Sequence, residues 1–154
     1  MPVNRLKEFL EDRRARYETV EHSPAVAATA VAESVHIAER DFAKTVILKI
    51  DGDLAMVVLP ANRRILLAAF REVLGESEIH LAKENEFGGC FPECELGAMP
   101  PFGNLYDMPV IVAPSLAAEP EIAFNAGTHR EVIKMPFSEY AAAARPIIMA
   151  FPTG

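Results

Sequence analysis

The feature that most constrains the fold is a pair of apolar, β-branched runs on either side of a short turn signal. Residues 44–50 and 54–59 are rich in valine, isoleucine and leucine, and Asp51-Gly52-Asp53 lies between them. Glycine and its acidic neighbours tolerate the positive φ of a tight turn, so the segment predicts a β-hairpin. An isolated hairpin is marginally stable, so the rest of the chain must supply further strands or helices to pack against it.

The remaining sequence mixes helical and extended patterns without a regular βαβ order. Helices are predicted over 6–13, 24–35, 63–74 and 137–144, and strands over 17–21, 78–81, 109–113, 121–124 and 131–135. Ser23 before Pro24 and Asn62 are candidate N-caps, and Gly75 suits the left-handed position after a helix. Residues 85–103 are dense in glycine and proline, which predicts a long shaped loop. The mixture predicts an α+β fold with helices packed around a mixed, largely antiparallel sheet.

Composition limits the size of the protein and its partners. The 154 residues suit one domain spanning 1–154, and 51% hydrophobic residues exclude a disordered chain. The net charge of −7 argues against a broad basic surface for DNA or anionic lipid. No secretory leader pattern opens the sequence, and no apolar run approaches the roughly 20 residues of a spanning helix. We therefore expect a cytoplasmic protein with no membrane or DNA partner.

Lys44 opens the first strand of the predicted hairpin. Period-two alternation places it on the strand face that carries Val46 and Leu48, so a lysine heads an apolar stripe. Such a lysine either reaches water and blunts a sheet edge, or holds a phosphate or ester oxygen at the mouth of a pocket. The residues alone leave both interpretations open.

Segment 97–103, Gly-Ala-Met-Pro-Pro-Phe-Gly, is the most unusual stretch of the chain. Its prolines remove backbone donors and stiffen the loop, while its glycines permit unusual dihedral angles. The loop is either a tight connection or a platform that presents the Gly97 and Ala98 amides to an oxyanion. Met99 and Phe102 either line a pocket there or fill the core.

Other polar residues carry weaker signals. His129 follows a turn-like run directly after a strand, so its ring lies near a pocket or on the surface. His22 precedes a candidate N-cap, where a packing or staple role is more common than a catalytic one. Arg63 and Arg64 stand at the start of a predicted helix, either as a solvated face or as phosphate contacts.

Cys90 and Cys94 do not predict a metal centre, because zinc requires a second ligand pair and the sequence has none at a matching spacing. No disulfide framework is possible with two cysteines, and Cys90 lacks the neighbouring signature of a catalytic thiol. The chain contains no Walker loop, G-x-G-x-x-G, H-E-x-x-H or G-x-S-x-G motif. We expect no metal and no cofactor, and a thiol- or metal-based hydrolase using Cys90 is a remote alternative.

Five segments, in this order, resemble the YbaK/ProX family, whose domain is also inserted in bacterial prolyl-tRNA synthetases as an editing module. They are Val20-Glu21-His22-Ser23-Pro24, Ala43-Lys44-Thr45-Val46, Val57-Val58-Leu59-Pro60, Gly97 to Gly103, and Phe124-Asn125-Ala126-Gly127-Thr128-His129. The resemblance implies a mixed, largely antiparallel sheet curved around a pocket and flanked by helices. It also implies hydrolysis of mischarged aminoacyl-tRNA in trans.

The resemblance assigns roles to individual residues. Lys44 matches the functional lysine of the family, Gly97 the glycine of its GxxxP-type loop, and His129 a histidine found after the Ala-Gly turn in some members. An aminoacyl ester is already activated, so positioning and oxyanion stabilisation can replace a protein nucleophile. We expect Lys44 to hold a phosphate or substrate oxygen, the Gly97 and Ala98 amides to bind the carbonyl, the tRNA 2′-OH to activate water, and His129 to orient or polarise.

The expected substrate is the CCA end of a tRNA that carries a misplaced small amino acid: alanine, serine, threonine or cysteine. A rigid pocket excludes larger side chains but accepts smaller ones, so the domain would act as a second sieve. A few arginines can bind such an end despite the acidic chain, and a partner synthetase would help. The candidate substrate-binding residues are His22, Met99, Pro100, Phe102, Gly127, Arg40, Arg63 and Arg64. The alternative is a non-catalytic module of the same fold that recognises aminoacyl-tRNA, a free amino acid or a nucleotide.

Overall fold

The predicted hairpin lies at the centre of the sheet in a computed structural model of the chain, which describes residues 2–22, 25, 27–75, 78–91, 94–95 and 97–154. Strands β2 (Phe42–Ile50) and β3 (Asp53–Pro60) form an antiparallel pair over nearly their whole length. Asp51 and Gly52 join them with φ values of 50° and 88°. Both turn residues therefore occupy the left-handed conformation that the sequence predicts.

The sheet has eight strands and is mixed. The others are β1 (Glu18–Glu21), β4 (Ile79–Leu81), β5 (Val110–Val112), β6 (Glu121–Asn125), β7 (Glu131–Pro136) and β8 (Ile147–Ile148). Their order is β1-β7-β6-β2-β3-β5-β8, and β4 pairs with the far end of β2. The β1–β7, β2–β3, β2–β4 and β6–β7 pairs are antiparallel, and β2–β6, β3–β5 and β5–β8 are parallel. The predicted α+β class with a mixed, mainly antiparallel sheet is confirmed.

Among the described residues, six helices accompany the sheet: α1 (Pro2–Asp12), α2 (Ala28–Ser34), α3 (Leu67–Val73), α4 (Glu84–Phe87), α5 (Pro114–Ala117) and α6 (Phe137–Ala144). Two 3-10 turns cover Gly88–Cys90 and Gly103–Leu105. The predicted loop over 85–103 is therefore partly helical, because elements of three or four residues are too short to leave a periodic pattern. The predicted cap at Ser23 and Pro24 lies outside the described residues.

Helix α3 begins at Leu67, and the prediction that Asn62 caps it is wrong. The residues between Asn62 and Leu67 form backbone hydrogen bonds with the C-terminal tail instead of a helical turn. Arg64 and Gly154 exchange two backbone hydrogen bonds of 3.0 and 2.8 Å, and the Leu66 N–H donates to the Pro152 carbonyl oxygen at 3.0 Å. A long-range pairing thus overrides the local capping signal.

The two faces of the sheet bury separate clusters. Against the first face, α1, α6 and the segment after Gly97 form the main core, which includes Phe102 and Tyr140. Against the second face, α2 covers Phe42 and α3 covers Leu48. In the described part of the chain no helix has the length and apolar character needed to cross a membrane.

Candidate active site

Lys44 lies on the second face of the sheet. Its neighbours Phe42 and Val46 pack in the clusters under α2 and α3, whereas Ala43 and Ile47 point to the main core. The predicted sharing of a face with Val46 is confirmed. The side chain is half-buried, and this burial lowers the pKa of Lys44 from its ordinary 10.5. A cation with little water around it attracts an anion more strongly than one in bulk solvent.

Asn125 stands beside Lys44 in the sheet. The parallel register pairs Phe42 with Ala123 and Ala43 with Phe124, so the next step places Lys44 level with Asn125 on the same face. Asn125 is only 7% exposed, and its Oδ1 meets no donor in the described part of the chain. A buried acceptor without a donor costs about 1–3 kcal/mol, so such atoms often await a ligand or water. The sequence interpretation missed this residue because an asparagine at a strand end resembles an ordinary turn former.

Two turns join where the site is predicted. The Glu95 N–H donates to the Gly127 carbonyl oxygen at 2.8 Å, and the Gly127 N–H donates to the Ala98 carbonyl oxygen at 2.9 Å. The His129 N–H donates to Oε1 of Glu95 at 2.9 Å. These three bonds fix Glu95 and Ala98 against segment 127–129. Glu95 was not predicted as a site residue, because a surface glutamate beside a glycine-rich loop has no distinguishing pattern.

Gly97 and the His129 ring are adjacent at this junction. Gly97 has a φ of 84°, and a Cβ added there would lie 3.5 Å from Cε1 and 3.9 Å from Nε2 of His129. The half-buried imidazole therefore lies against a glycine that adopts the left-handed conformation. The structure thus brings together two residues, from distant parts of the chain, that the resemblance assigned to one site.

The backbone amides of the loop differ from the prediction at one position. The Ala98 N–H donates to the Glu95 carbonyl oxygen at 3.0 Å, so it is not available to an oxyanion. The acceptor lies only three residues before Ala98, and the composition of the loop does not reveal a turn of this kind. The N–H groups of Gly97 and Met99 meet no acceptor among the described residues. These two amides, separated by one residue, are the candidate donors.

The proline segment is fixed from the core side. The Tyr140 hydroxyl donates to the Pro101 carbonyl oxygen at 2.8 Å, and its burial raises the pKa of the Tyr140 phenol. Phe102 is fully buried, with ring centroids 5.2 Å from Tyr140 and 5.5 Å from Phe124. Phe102 is therefore a core residue and not the substrate contact predicted for it. Pro100 and Met99 are also buried, and Met99 packs in the main core.

The His22 segment lies beside the second turn. The His22 N–H donates to the Arg130 carbonyl oxygen at 2.8 Å, and the Ala25 N–H donates to the His129 carbonyl oxygen at 3.2 Å. The end of β1 therefore reaches the same junction as Gly97 and His129.

Three surface cavities have volumes of about 180, 620 and 340 Å³. None of the three is lined by Lys44, Gly97 or His129, so a substrate cavity between these residues stays a prediction. Arg40 and Arg63 line the cavity of 340 Å³. Cys90 lines the largest cavity, and over the described ranges no three His, Cys, Asp or Glu side chains are grouped as metal ligands.

Comparison with known proteins agrees with this arrangement. The model of the aminoacyl-tRNA editing domain family matches residues 22–142. That interval contains both joined turns and Lys44. No curated protein matches the sequence.

Solved structures with the same fold share little sequence with the chain. A proposed trans-editing enzyme for prolyl tRNA synthetase is 19% identical with a TM-score of 0.84, covering 99% of this chain and 98% of that one. A hypothetical protein is 18% identical with a TM-score of 0.84, covering 98% and 100%. A proposed signal transduction protein from Marinobacter aquaeolei VT8 is 16% identical with a TM-score of 0.74, covering 95% of this chain and 30% of that one. At these identities the likeness establishes the fold alone.

Proposed function

The chain belongs to the aminoacyl-tRNA editing domain family, and on that premise we propose that it hydrolyses mischarged aminoacyl-tRNA bearing a small amino acid. The amino acids proposed are alanine, serine, threonine and cysteine. Residues 1–154 act as one cytoplasmic domain in trans, on the CCA end of a tRNA and beside a synthetase. The observation that supports the proposal is that Gly97 lies beside the His129 ring, with three hydrogen bonds holding their turns together. The name of one structural neighbour, a proposed trans-editing enzyme for prolyl tRNA synthetase, supports the synthetase context.

The reaction is an ester hydrolysis that needs no nucleophile from the protein. A water oxygen attacks the ester carbonyl carbon, and the 2′-OH of the terminal ribose relays the proton of that water. The tetrahedral intermediate collapses when the bond between the carbonyl carbon and the 3′-oxygen breaks. The 3′-oxygen takes the relayed proton, and the products are free amino acid and tRNA. The protein contributes position and charge stabilisation, which suffice for an activated ester.

The Gly97 and Met99 amides bind the oxyanion in this mechanism. Both N–H groups lack an acceptor in the described part of the chain, and the loop that bears them is stiffened by Pro100 and Pro101. Donors held in place before the reaction need no reorganisation when charge develops. Each such donor is worth about 10²–10³ in rate. His129, packed on Gly97, orients the ester or polarises its carbonyl.

Lys44 and Asn125 form the polar pair on the second face of the sheet. The Lys44 ammonium holds the terminal phosphate or a substrate oxygen, because burial has removed part of its competing water. The unsatisfied Oδ1 of Asn125 accepts from the α-ammonium of the aminoacyl group. A buried amide oxygen that gains such a charged donor forms a stronger bond than with a neutral one.

Substrate size is limited by the rigidity of the loop. Its carbonyl at Pro101 is held by Tyr140, and Phe102 is locked in the core, so the loop cannot withdraw to admit a large side chain. Such a site rejects larger residues by steric exclusion but distinguishes a missing methylene by only about 1–3 kcal/mol. This rigidity supports the proposal of a group of small amino acids over that of a single one.

The test is a deacylation screen over tRNAs charged with each amino acid, with the wild type and Lys44→Ala assayed side by side. We expect release of one or more small amino acids by the wild type and none above background by the variant. Lys49→Ala is the matched control, because Lys49 lies on the same strand and pairs with Glu86 at 3.0 Å. Release of no amino acid from any tRNA by the wild type would contradict the proposal and favour a non-catalytic binding module.

A further inference from the structure

We propose that the cavity of about 340 Å³ at one end of the sheet is a phosphate-binding subsite for the acceptor strand of the tRNA. The proposal rests on the editing function proposed above and adds a location for the nucleic acid. The cavity is formed where β2 begins, where β3 and β5 end, and where the C-terminal tail folds back. Its polar lining residues are Arg40, Asn62, Arg63, Ser115 and Thr153.

The charge of this cavity is opposite to that of the chain. The sequence has 22 acidic and 15 basic residues, yet the ten lining residues include two arginines and no acid. A concave surface lined by one sign of charge concentrates its field and attracts the opposite ion. A polyanion that is repelled by most of the surface would therefore bind here preferentially.

Arg63 is oriented but not neutralised. Its Nε and Nη2 donate to Oγ1 of Thr153 at 3.3 and 3.1 Å, and within the described ranges it forms no ion pair with a carboxylate. Thr153 is fixed in turn, because it bridges to Ile65 and its neighbour Gly154 pairs with Arg64. A guanidinium held by a neutral hydroxyl keeps its full charge and has donors left for a phosphate.

Arg40 supplies a second cation whose present partners are weak. Its Nε lies 3.6 Å from Oε1 of Glu119 and 4.0 Å from Oδ1 of Asp41, and the side chain is 73% exposed. Exposed pairs at these distances contribute little, so a phosphate can replace them at low cost. Arg64 lines none of the three cavities, and its backbone anchors the tail instead.

The subsite adjoins Lys44. Pro60, a lining residue, pairs with Ala43, and the next pair in the ladder is Leu59 with Lys44. The Cα atoms of Arg40 and Lys44 are four residues apart in sequence, at most roughly 13 Å along an extended chain. Phe151, which also lines the cavity, stacks on Phe70 at 5.3 Å in the cluster on the face that bears Lys44. An ester held at Lys44 therefore leaves the preceding nucleotides within reach of the arginines.

The first experiment measures binding of uncharged tRNA as a function of salt by fluorescence anisotropy, using Arg63→Gln. Loss of one phosphate contact is expected to weaken binding about tenfold at low salt and to reduce the slope of log affinity against log salt by about 0.7–1. Arg63→Lys keeps the charge and is expected to keep the slope. Arg14→Gln is the control, because Arg14 is exposed and forms no ion pair in the described part of the chain.

The second experiment separates the subsite from the chemistry. Arg63→Gln is expected to raise KM for aminoacyl-tRNA about tenfold with kcat unchanged, and to hydrolyse an aminoacyl-adenosine, which has no acceptor strand, at the wild-type rate. A wild-type salt slope in Arg63→Gln, or an equal loss on both substrates, would overturn the subsite. If Arg63→Gln does not fold, Arg40→Gln takes its place in both assays with the same expectations. If the wild type binds tRNA but cleaves no ester, the editing function fails while the binding assay still decides the subsite.

Discussion

Replacing Gly97 with alanine tests the joined turns by a single methyl group. Gly97 has a φ of 84°, a region that costs an L residue roughly 1–2 kcal/mol. The added Cβ would lie 3.5 Å from Cε1 of His129, an ordinary contact distance, so steric overlap adds little. Alanine also reduces the entropy of the unfolded chain, which returns about 0.4–1 kcal/mol. The net expected loss of stability is about 1 kcal/mol.

The effect on catalysis should be much larger than the effect on stability. The loop can relieve the strain at residue 97 by rotating its peptide, which moves the Gly97 N–H away from the ester and the ring of His129 with it. Losing one preorganised oxyanion donor lowers kcat by about 10²–10³. We therefore expect Gly97→Ala to remain folded at assay temperature and to lose about two orders of magnitude in kcat.

Gly75→Ala is the matched control, because Gly75 has a φ of 71° and an added Cβ meets nothing within 4 Å. Both variants are expected to lower the melting temperature by roughly 2–4 °C per kcal/mol lost, measured by calorimetry. Only Gly97→Ala is expected to lose deacylation, measured on the amino acid identified by the screen. Equal stability losses with wild-type kcat in Gly97→Ala would refute the reasoning that places the loop amide at the ester.

Two further substitutions test the hydrogen bond from Tyr140 to the proline loop and the ionisation of the Asp41 carboxyl group. Tyr140→Phe leaves the Pro101 carbonyl oxygen without its donor and should cost about 1–2 kcal/mol in urea unfolding, with a lower kcat; an unchanged midpoint would contradict this. Burial, followed by the hydrogen bond and charge of Glu119, raises the pKa of Asp41 from 3.8 to about 6. The contribution of Asp41 protonation to folding stability is therefore full below pH 3.8 and is lost as pH rises through about 6. Asp41→Asn should therefore gain stability relative to the wild type as pH rises from about 4 to about 6, and a difference that stays constant over this range would argue against the shift.

The fold could be predicted from the sequence where the pattern is local and periodic. The hairpin at 51–53, the strands β4 to β7 and α6 rest on alternation or helical spacing, and their positions agree with the structure, whereas the two-residue strand β8 was not predicted. The start of α3 could not be predicted, because it is decided by the pairing of Arg64 with Gly154, ninety positions later in the chain. The short elements in 84–105 were missed because they contain too few residues for a period.

The site could be predicted only where a residue stands out in the sequence. Lys44 heads an apolar stripe, and Gly97 opens a proline-containing segment, so both residues can be recognised from the sequence alone. Glu95 and Asn125 are not visible, since one acts through a hydrogen bond to His129 and the other through a sheet register. The availability of an amide is equally hidden: Ala98 was expected to present its N–H, but a local turn occupies it.

The role of Lys44 is best measured by the single-turnover rate constant of ester cleavage with enzyme in excess, compared among three lysine variants. We expect Lys44→Ala to lower this rate constant at least about 100-fold while its unfolding midpoint stays near the wild-type value. Lys44→Arg, which keeps a charge with altered geometry, should retain part of the rate. Lys49→Ala, on the opposite face of the same strand, should cleave as the wild type does. A Lys44→Ala protein that cleaves the ester at the wild-type rate would contradict the account.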